Sequence, residues 1–146
     1  MSTKNLILPA VAAVVFNDAG EILLQKRKDV SKWCIISGHV EFGETIEAAI
    51  LREIKEETDV VADIVRFIGV YSSPDTQTYY HVDKTIQYVT SYFEVKLSDD
   101  LSPDFSNSET QELKFFKKDD LPVDMDMINP NWLSDALTKN APAFFR

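Results

Sequence analysis

Cysteine is nearly absent: Cys34 is the only one, so no disulfide can form within the chain, and a reduced cytoplasm is the expected setting. Positive charge is scarce as well, with 15 Lys and Arg against 24 Asp and Glu and a formal net charge of -9. That balance disfavours nucleic-acid polymers and anionic membrane surfaces as partners, because recognising arrayed phosphates needs a basic face. A small anionic ligand stays compatible, provided that a cation screens it. No apolar run approaches the roughly 20 residues of a membrane-spanning helix. The run from Leu6 to Phe16 follows Lys4 and contains Pro9-Ala10-Val11-Ala12-Ala13, which imitates a signal peptide with its cleavage site. Asn17-Asp18-Ala19-Gly20 and then Glu21 to Lys26 come next, however, as a turn and a second strand would. Neither an internal repeat nor a linker composition interrupts the chain. Its 146 residues, 45% of them hydrophobic, suit one domain over 1–146 with a single proper core.

The nearly unbroken apolar character of Ile7 to Phe16 predicts a strand buried on both faces at the centre of a sheet. Glu21 to Gln25 and Trp33 to Ile36 read as further strands, and a loop carrying Gly38 and Gly43 leads to a helix over Thr45 to Glu57, with Thr45 as cap and Glu47 in the first turn. Val60 to Tyr71 and Thr85 to Leu97 are rich in β-branched and aromatic residues and read as strands. The polar segment between them, Ser72 to Lys84, is a candidate substrate loop. Ser98 to Thr110 is acidic and Ser-rich and predicts a mobile surface loop, followed by a short strand over Glu112 to Phe116. Trp132, Leu133, Ala136 and Leu137 recur at helical spacing and predict a closing amphipathic helix. This order indicates an α/β fold with helices covering a mixed sheet.

One helix face departs from the usual pattern. Ile46, Ala49 and Ile50 mark an inward stripe, and the next positions on it are Glu53 and Glu57, with Glu56 beside them. Like charges four residues apart cost an isolated helix a few tenths of a kcal/mol, on the order of 0.2–0.5, and burial worsens the repulsion. Arg52 offsets one charge. The surplus is best met by a hard divalent cation that prefers oxygen ligands, with magnesium the first candidate and manganese the second. An ordinary solvated acidic helix end is the plain alternative for any isolated Glu-x-x-Glu-Glu.

The surroundings of these glutamates are distinctive. Gly38, Glu44, Arg52, Glu53, Ile54, Glu56 and Glu57 stand at the spacing Gly-x5-Glu-x7-Arg-Glu-Ile-x-Glu-Glu. That segment, entered through Ser37-Gly38-His39-Val40-Glu41-Phe42-Gly43-Glu44, resembles the box of the Nudix hydrolase family. Val14-Val15-Phe16 with Glu21 to Gln25 looks like the family's first hairpin, and Trp33 precedes the glycine loop as it often does there. The resemblance implies an α/β/α sandwich around a central mixed β-sheet, and a loop-helix-loop that binds divalent metal against a pyrophosphate. The implied reaction is hydrolysis of the pyrophosphate linkage in a nucleoside diphosphate derivative, whether ADP-ribose, a nucleotide sugar or a nucleoside triphosphate. Ile36 and Ser37 stand where the family generally has Pro and Gly, and Asp59 replaces the Gly that follows the helix. Asp tolerates a left-handed cap at modest cost.

By resemblance, Glu53 and Glu57 are metal ligands, Glu56 ligates or serves as base, and the Gly38 carbonyl adds a ligand. Arg52 orients a carboxylate. Family members often bring a further acid from a loop beyond the central strands, and Glu109 is the choice here over Glu112. On the substrate side stand Gly38, Glu44, which braces the loop, Arg27 at a strand end that reaches phosphate, and Tyr79 as a ring for a nucleobase. His39 and His81 read as surface residues, having no second histidine at metal spacing. Pro74 and Tyr79 lie near positions that mark family subgroups for ADP-ribose and for dinucleoside polyphosphates, without deciding between them. Leu23 to Gly38 lacks the Arg-rich pattern of coenzyme A hydrolases. Two rivals from other classes are a nucleotide-sensing domain without turnover, acting through a partner, and divergent chemistry such as isomerisation. The apolar Ala143-Phe144-Phe145 segment docks either on its own domain or on a second subunit as a homodimer.

Overall fold

The computed structural model describes residues 4–103 and 105–146. In chain order the strands and helices are β1 (Lys4–Val15), β2 (Ile22–Arg27), β3 (Trp33–Cys34), β4 (Ile36–His39), α1 (Ile46–Thr58), β5 (Ala62–Tyr71), α2 (Pro74–Gln77), β6 (Thr78–Tyr80), β7 (Lys84–Leu97), β8 (Thr110–Phe116), α3 (Trp132–Leu137) and β9 (Phe144–Phe145). The larger sheet runs β4-β1-β7-β5-β9, with β6 on the near end of β7, and the smaller runs β3-β2-β8. β1 pairs parallel with β7 and antiparallel with β4, so the central sheet is mixed.

The continuous apolar run of β1 is explained by its place between two cores. Val11, Ala13 and Val15 face Ala49, Ile50 and Ile54 of α1, together with Phe93 and Val95. The alternate residues Ala12 and Val14 face Trp132 and Ala136 of α3, with Ile68, Tyr71 and Tyr92. Strand alternation thus sends successive side chains into opposite layers, which gives the α/β/α arrangement. Each fully buried isoleucine of α1 contributes roughly 1.5–3 kcal/mol to holding that helix on the sheet.

The termini of α1 follow local chemistry. The Thr45 hydroxyl accepts from the Ala48 N–H at 3.1 Å, and Asp59 closes the helix at φ 58°, its N–H donating to the Lys55 carbonyl. The conformation normally given to glycine is thus carried by aspartate, whose carboxylate lies 3.1 Å from Lys55 Nζ. Four segments differ from expectation. The strand expected over Trp33 to Ile36 is split, β3 joining the smaller sheet and β4 the larger, and β4 carries Gly38, expected in a loop. The polar segment before β7 is partly ordered as α2 and β6, with Gln77 accepting from the Thr90 hydroxyl at 2.8 Å. β8 begins at Thr110, inside the stretch expected as loop. The closing helix α3 has only six residues, since Thr138 turns back onto the carbonyls of Ser134 and Asp135. Phe144 and Phe145 dock on their own domain, beside Gly69 and Val70 of β5. Gly69 permits this closeness: a Cβ there would stand 2.3 Å from the Phe144 carbonyl oxygen.

Candidate active site

Glu53, Glu56 and Glu57 of α1 occupy three different environments along a cleft of about 680 Å³. Glu53 and Glu57 are buried, whereas the Glu56 side chain is 54% exposed. The Glu53 carboxylate lies directly over Gly38 of β4, where an added Cβ would sit 2.1 Å from the carboxyl carbon. Gly38 is therefore required by close approach. Gly38→Ala is expected to leave the fold intact, because the obstructed atoms are the tip of a flexible side chain, while displacing that carboxylate. Metal affinity should then fall roughly 10- to 100-fold, the range for disturbing a supporting shell, with Tm nearly unchanged. Calorimetric metal titration beside a thermal melt checks both halves.

Arg52 organises the remaining acids of the loop. Its Nε and Nη2 donate to the two oxygens of Glu44 at 3.1 and 2.7 Å, and Nη2 also donates to the His39 carbonyl at 2.9 Å. Nη1 donates to Glu53 at 3.0 Å and reaches Glu56 at 3.3 Å. Hydrogen bonding to Glu44 is the largest influence raising the guanidinium pKa. Glu44 also accepts from the Glu41 N–H at 2.8 Å. Both its oxygens are thus committed to the loop, and it is not among the residues lining the cleft.

Glu57 is held from the opposite side. Its Oε2 accepts from the Thr110 hydroxyl at 2.5 Å, from the Gln25 amide, and from Asn107 at 3.4 Å. Thr110 reaches it because β8 carries a bulge: Lys26 pairs with Glu112 but Arg27 pairs with Thr110, leaving Gln111 as the extra residue. Glu109 stands beside Glu57, whose negative charge is the first cause raising the Glu109 pKa, ahead of burial. Glu112 lies on β8 opposite Lys26 and outside the cleft lining.

Burial raises the Glu53 carboxyl to about 7, with Arg52 opposing the shift and Glu56 and Glu57 adding to it. A carboxyl held above its unfolded value makes the metal-free protein lose stability as pH rises from the ordinary carboxylate range through about 7. A cation needs the deprotonated form. Its affinity should therefore climb over the same interval, by roughly tenfold between pH 6 and 8, with proton release at the lower pH. Titration calorimetry in buffers of different ionisation enthalpy measures both effects.

Among the described residues the acids do not close into a ready three-donor cage: Glu53 and Glu56 turn to Arg52, and Glu57 to Gln25 and Thr110. The donor chemistry still suits a hard divalent cation, since it consists of carboxylates without thiolate or imidazole. Glu53, Glu56, Glu57 and Glu109 carry more negative charge than Arg52 balances.

The cleft lining also includes basic and aromatic side chains. Arg27 belongs to it, paired with Asp29 at 2.5 Å, as do Tyr79 and Tyr88, whose rings meet edge to face at 5.5 Å. His39 stacks on Tyr88 at 5.3 Å, its Nε2 2.8 Å from the phenol oxygen. His39 and Tyr88 thus form a pair that sequence reasoning missed, as it missed Gln25, Asn107 and Thr110 around Glu57. Tyr71 is buried, its hydroxyl donating to Asp135, and belongs to the core.

The NUDIX domain model matches residues 6–136, which includes every acid just described. The chain belongs to the Nudix family. An ADP-ribose pyrophosphatase of Methanocaldococcus jannaschii is 35% identical over 120 residues, covering 78% of this chain and 65% of that protein. A Bacillus subtilis protein described as a putative 8-oxo-dGTP diphosphatase is 45% identical over 69 residues, 47% of this chain and 46% of its own. The chain therefore spans less than two thirds of the length of these Nudix relatives. The solved structure of a UDP-X diphosphatase superposes with a TM-score of 0.77 at 25% identity, covering 99% of this chain and 68% of that one. An ADP-ribose pyrophosphatase of Streptococcus suis shares the fold, with a TM-score of 0.73 at 19% identity over 95% of this chain and 97% of its own. Nudix hydrolases generally need divalent metal ions. No helix among the described residues of this Nudix domain is long and apolar enough to cross a membrane.

Proposed function

We propose that the chain hydrolyses the pyrophosphate linkage of a nucleoside diphosphate derivative in the presence of magnesium, with ADP-ribose and nucleotide sugars preferred to nucleoside triphosphates. The observation that carries this reading is the shared lining of one cleft: Glu53, Glu56, Glu57 and Glu109 border the same space as Arg27, Tyr79 and Tyr88. A ring-bearing diphosphate presents matching parts. The names of the ADP-ribose and UDP-X relatives support the substrate class.

Glu53, Glu56 and Glu57 would hold the cation, which supplies Lewis acidity toward the phosphate oxygens when bound. Water attacks phosphorus, the bridging P–O bond breaks, and the departing phosphate carries the bond's electrons. Glu109 takes the proton from that water. Its raised proton affinity beside Glu57 suits a base, and a cation among the acids adds its own charge to that balance. Arg52 fixes the orientation of Glu53 and Glu56. Arg27 offsets charge on the phosphate that leaves, and Tyr79 offers a face for the base.

The reading is tested by incubating the protein with magnesium and, separately, ADP-ribose, UDP-glucose and dATP, then resolving the products by ion-exchange chromatography. A nucleoside monophosphate from either of the first two is the expected result. Absence of product from every compound, with manganese as well as magnesium, would overturn it in favour of binding without turnover.

A further inference from the structure

Asn107 lies in the segment whose composition predicts a mobile loop, yet it makes more defined contacts than any neighbour there. Its side-chain oxygen accepts from the N–H groups of Glu109 at 2.9 Å and Thr110 at 2.7 Å. Its side-chain amide donates to the Glu56 carbonyl at 3.0 Å and reaches the Glu57 carboxylate at 3.4 Å. The two ends of this one amide thus join the loop to the acidic end of α1. Lys28 secures the arrangement from the β2–β3 turn: its Nζ donates to the Asn107 carbonyl at 2.7 Å and its N–H to the Glu109 carbonyl at 2.9 Å. Glu109 is accordingly held at both its N–H and its carbonyl, although its side chain is exposed to the cleft.

We infer that Asn107 is a positioning residue: its amide clamps the Glu109 loop onto α1 so that Glu109 faces Glu57 across the reacting position. Asn107 is not among the residues lining the cleft, so it acts through the groups it holds, the Glu109 turn first and the Glu57 carboxylate second. Asparagine fits both halves of this task, since its oxygen closes the turn at its own residue and its nitrogen reaches the helix. Without the clamp, an acidic, Ser-rich segment has little apolar surface to keep it in place. This role rests on the proposed use of Glu109 in catalysis, but the clamp itself can be tested without turnover.

The first measurement is hydrogen exchange of the Glu109 and Thr110 amides in the metal-free protein. Asn107→Ala should exchange both at least tenfold faster than wild type, and Asn107→Asp, which keeps the accepting oxygen but sets an acceptor against the Glu56 carbonyl and the Glu57 carboxylate, should restore only part of the protection. Unchanged exchange in Asn107→Ala would overturn the clamp, whatever the enzyme does. The second is a double-mutant cycle in kcat on ADP-ribose with saturating magnesium. Asn107→Ala should lower kcat roughly 10- to 100-fold, the cost of misplacing a reacting group by about 1 Å, with KM within about twofold. Combined with Glu109→Gln it should add almost nothing to the loss from Glu109→Gln alone. Additive losses, or a wild-type kcat in Asn107→Ala, would remove the positioning role. If Glu109→Gln by itself leaves kcat intact while exchange responds as stated, the failure lies in the role given to Glu109, and the inference of catalytic positioning falls with it.

Discussion

Replacing Glu57 by Gln should lower kcat by two to four orders of magnitude and raise the melting temperature of the metal-free protein slightly. The two effects have separate causes. Glu57 is buried at 4% exposure, and its Oε2 is fixed by donors from Thr110, Gln25 and Asn107. A glutamine carbonyl accepts the same bonds, so the packing survives. Its amide then offers a donor to Glu109, where the wild type places a like charge against it. Relief of that repulsion is worth about 0.5 kcal/mol, or on the order of 1–2 °C in a domain of this size. The loss in kcat follows because an amide is a poor ligand for a hard cation, and because the charge acting on Glu109 disappears. Glu57→Ala makes the contrast. It leaves the buried Thr110 hydroxyl proton without its acceptor and takes one of two acceptors from the Gln25 amide, at roughly 1–3 kcal/mol, so its melting temperature should fall while Gln raises it. Steady-state kinetics with thermal melts in a chelator check the pair. A Gln variant that turns over like wild type would remove Glu57 from the site.

Much of this acidic lining was legible because it is local. Thr45, the stripe of Ala49 and Ile50, and the three glutamates lie within one helix, where a rotation of roughly 100° per residue decides which side chains share a face. The left-handed Asp59 is legible for the same reason, since a cap depends on its own backbone and on the preceding turn. The donors around Glu57 obey no such rule. Gln25 is 32 residues away and Thr110 is 53. Which β8 residue meets Glu57 depends on the bulge between Lys26 and Arg27, and a slip of one residue would send Thr110 to the other face. His39 and Tyr88 are likewise brought together by strand register, 49 residues apart. Asn107 was hidden by composition, because a Ser-rich acidic stretch reads as solvated until a single amide is seen to tie it down. The alternation of β1 between two cores was legible as a burial pattern; the helices that cover each face were assigned to their layers only by the long-range contacts.

Arg52→Lys should cost both stability and turnover, although the charge is kept. The guanidinium serves five acceptors in one plane-bound geometry: both oxygens of Glu44, the His39 carbonyl, Glu53 and Glu56. An ammonium has three donors at a single point and cannot span them. Glu44 is the partner that loses most, since its bidentate contact is the one that anchors the loop between β4 and α1. Losing one or two charge-assisted bonds there corresponds to roughly 2–3 kcal/mol after allowance for partial solvent exposure, and a fall in Tm of about 5–10 °C. Glu53 and Glu56 are then free to separate, and kcat should drop on the order of 100-fold through misplacement of the acids. Saturating magnesium should return part of the lost Tm, because a bound cation draws those carboxylates together as Arg52 does in its absence. Melting curves of wild type and Arg52→Lys across a magnesium series, with kcat at saturation, measure all three quantities. If the variant melts and turns over like the parent, Arg52 supplies charge alone, and the bidentate brace carries no function.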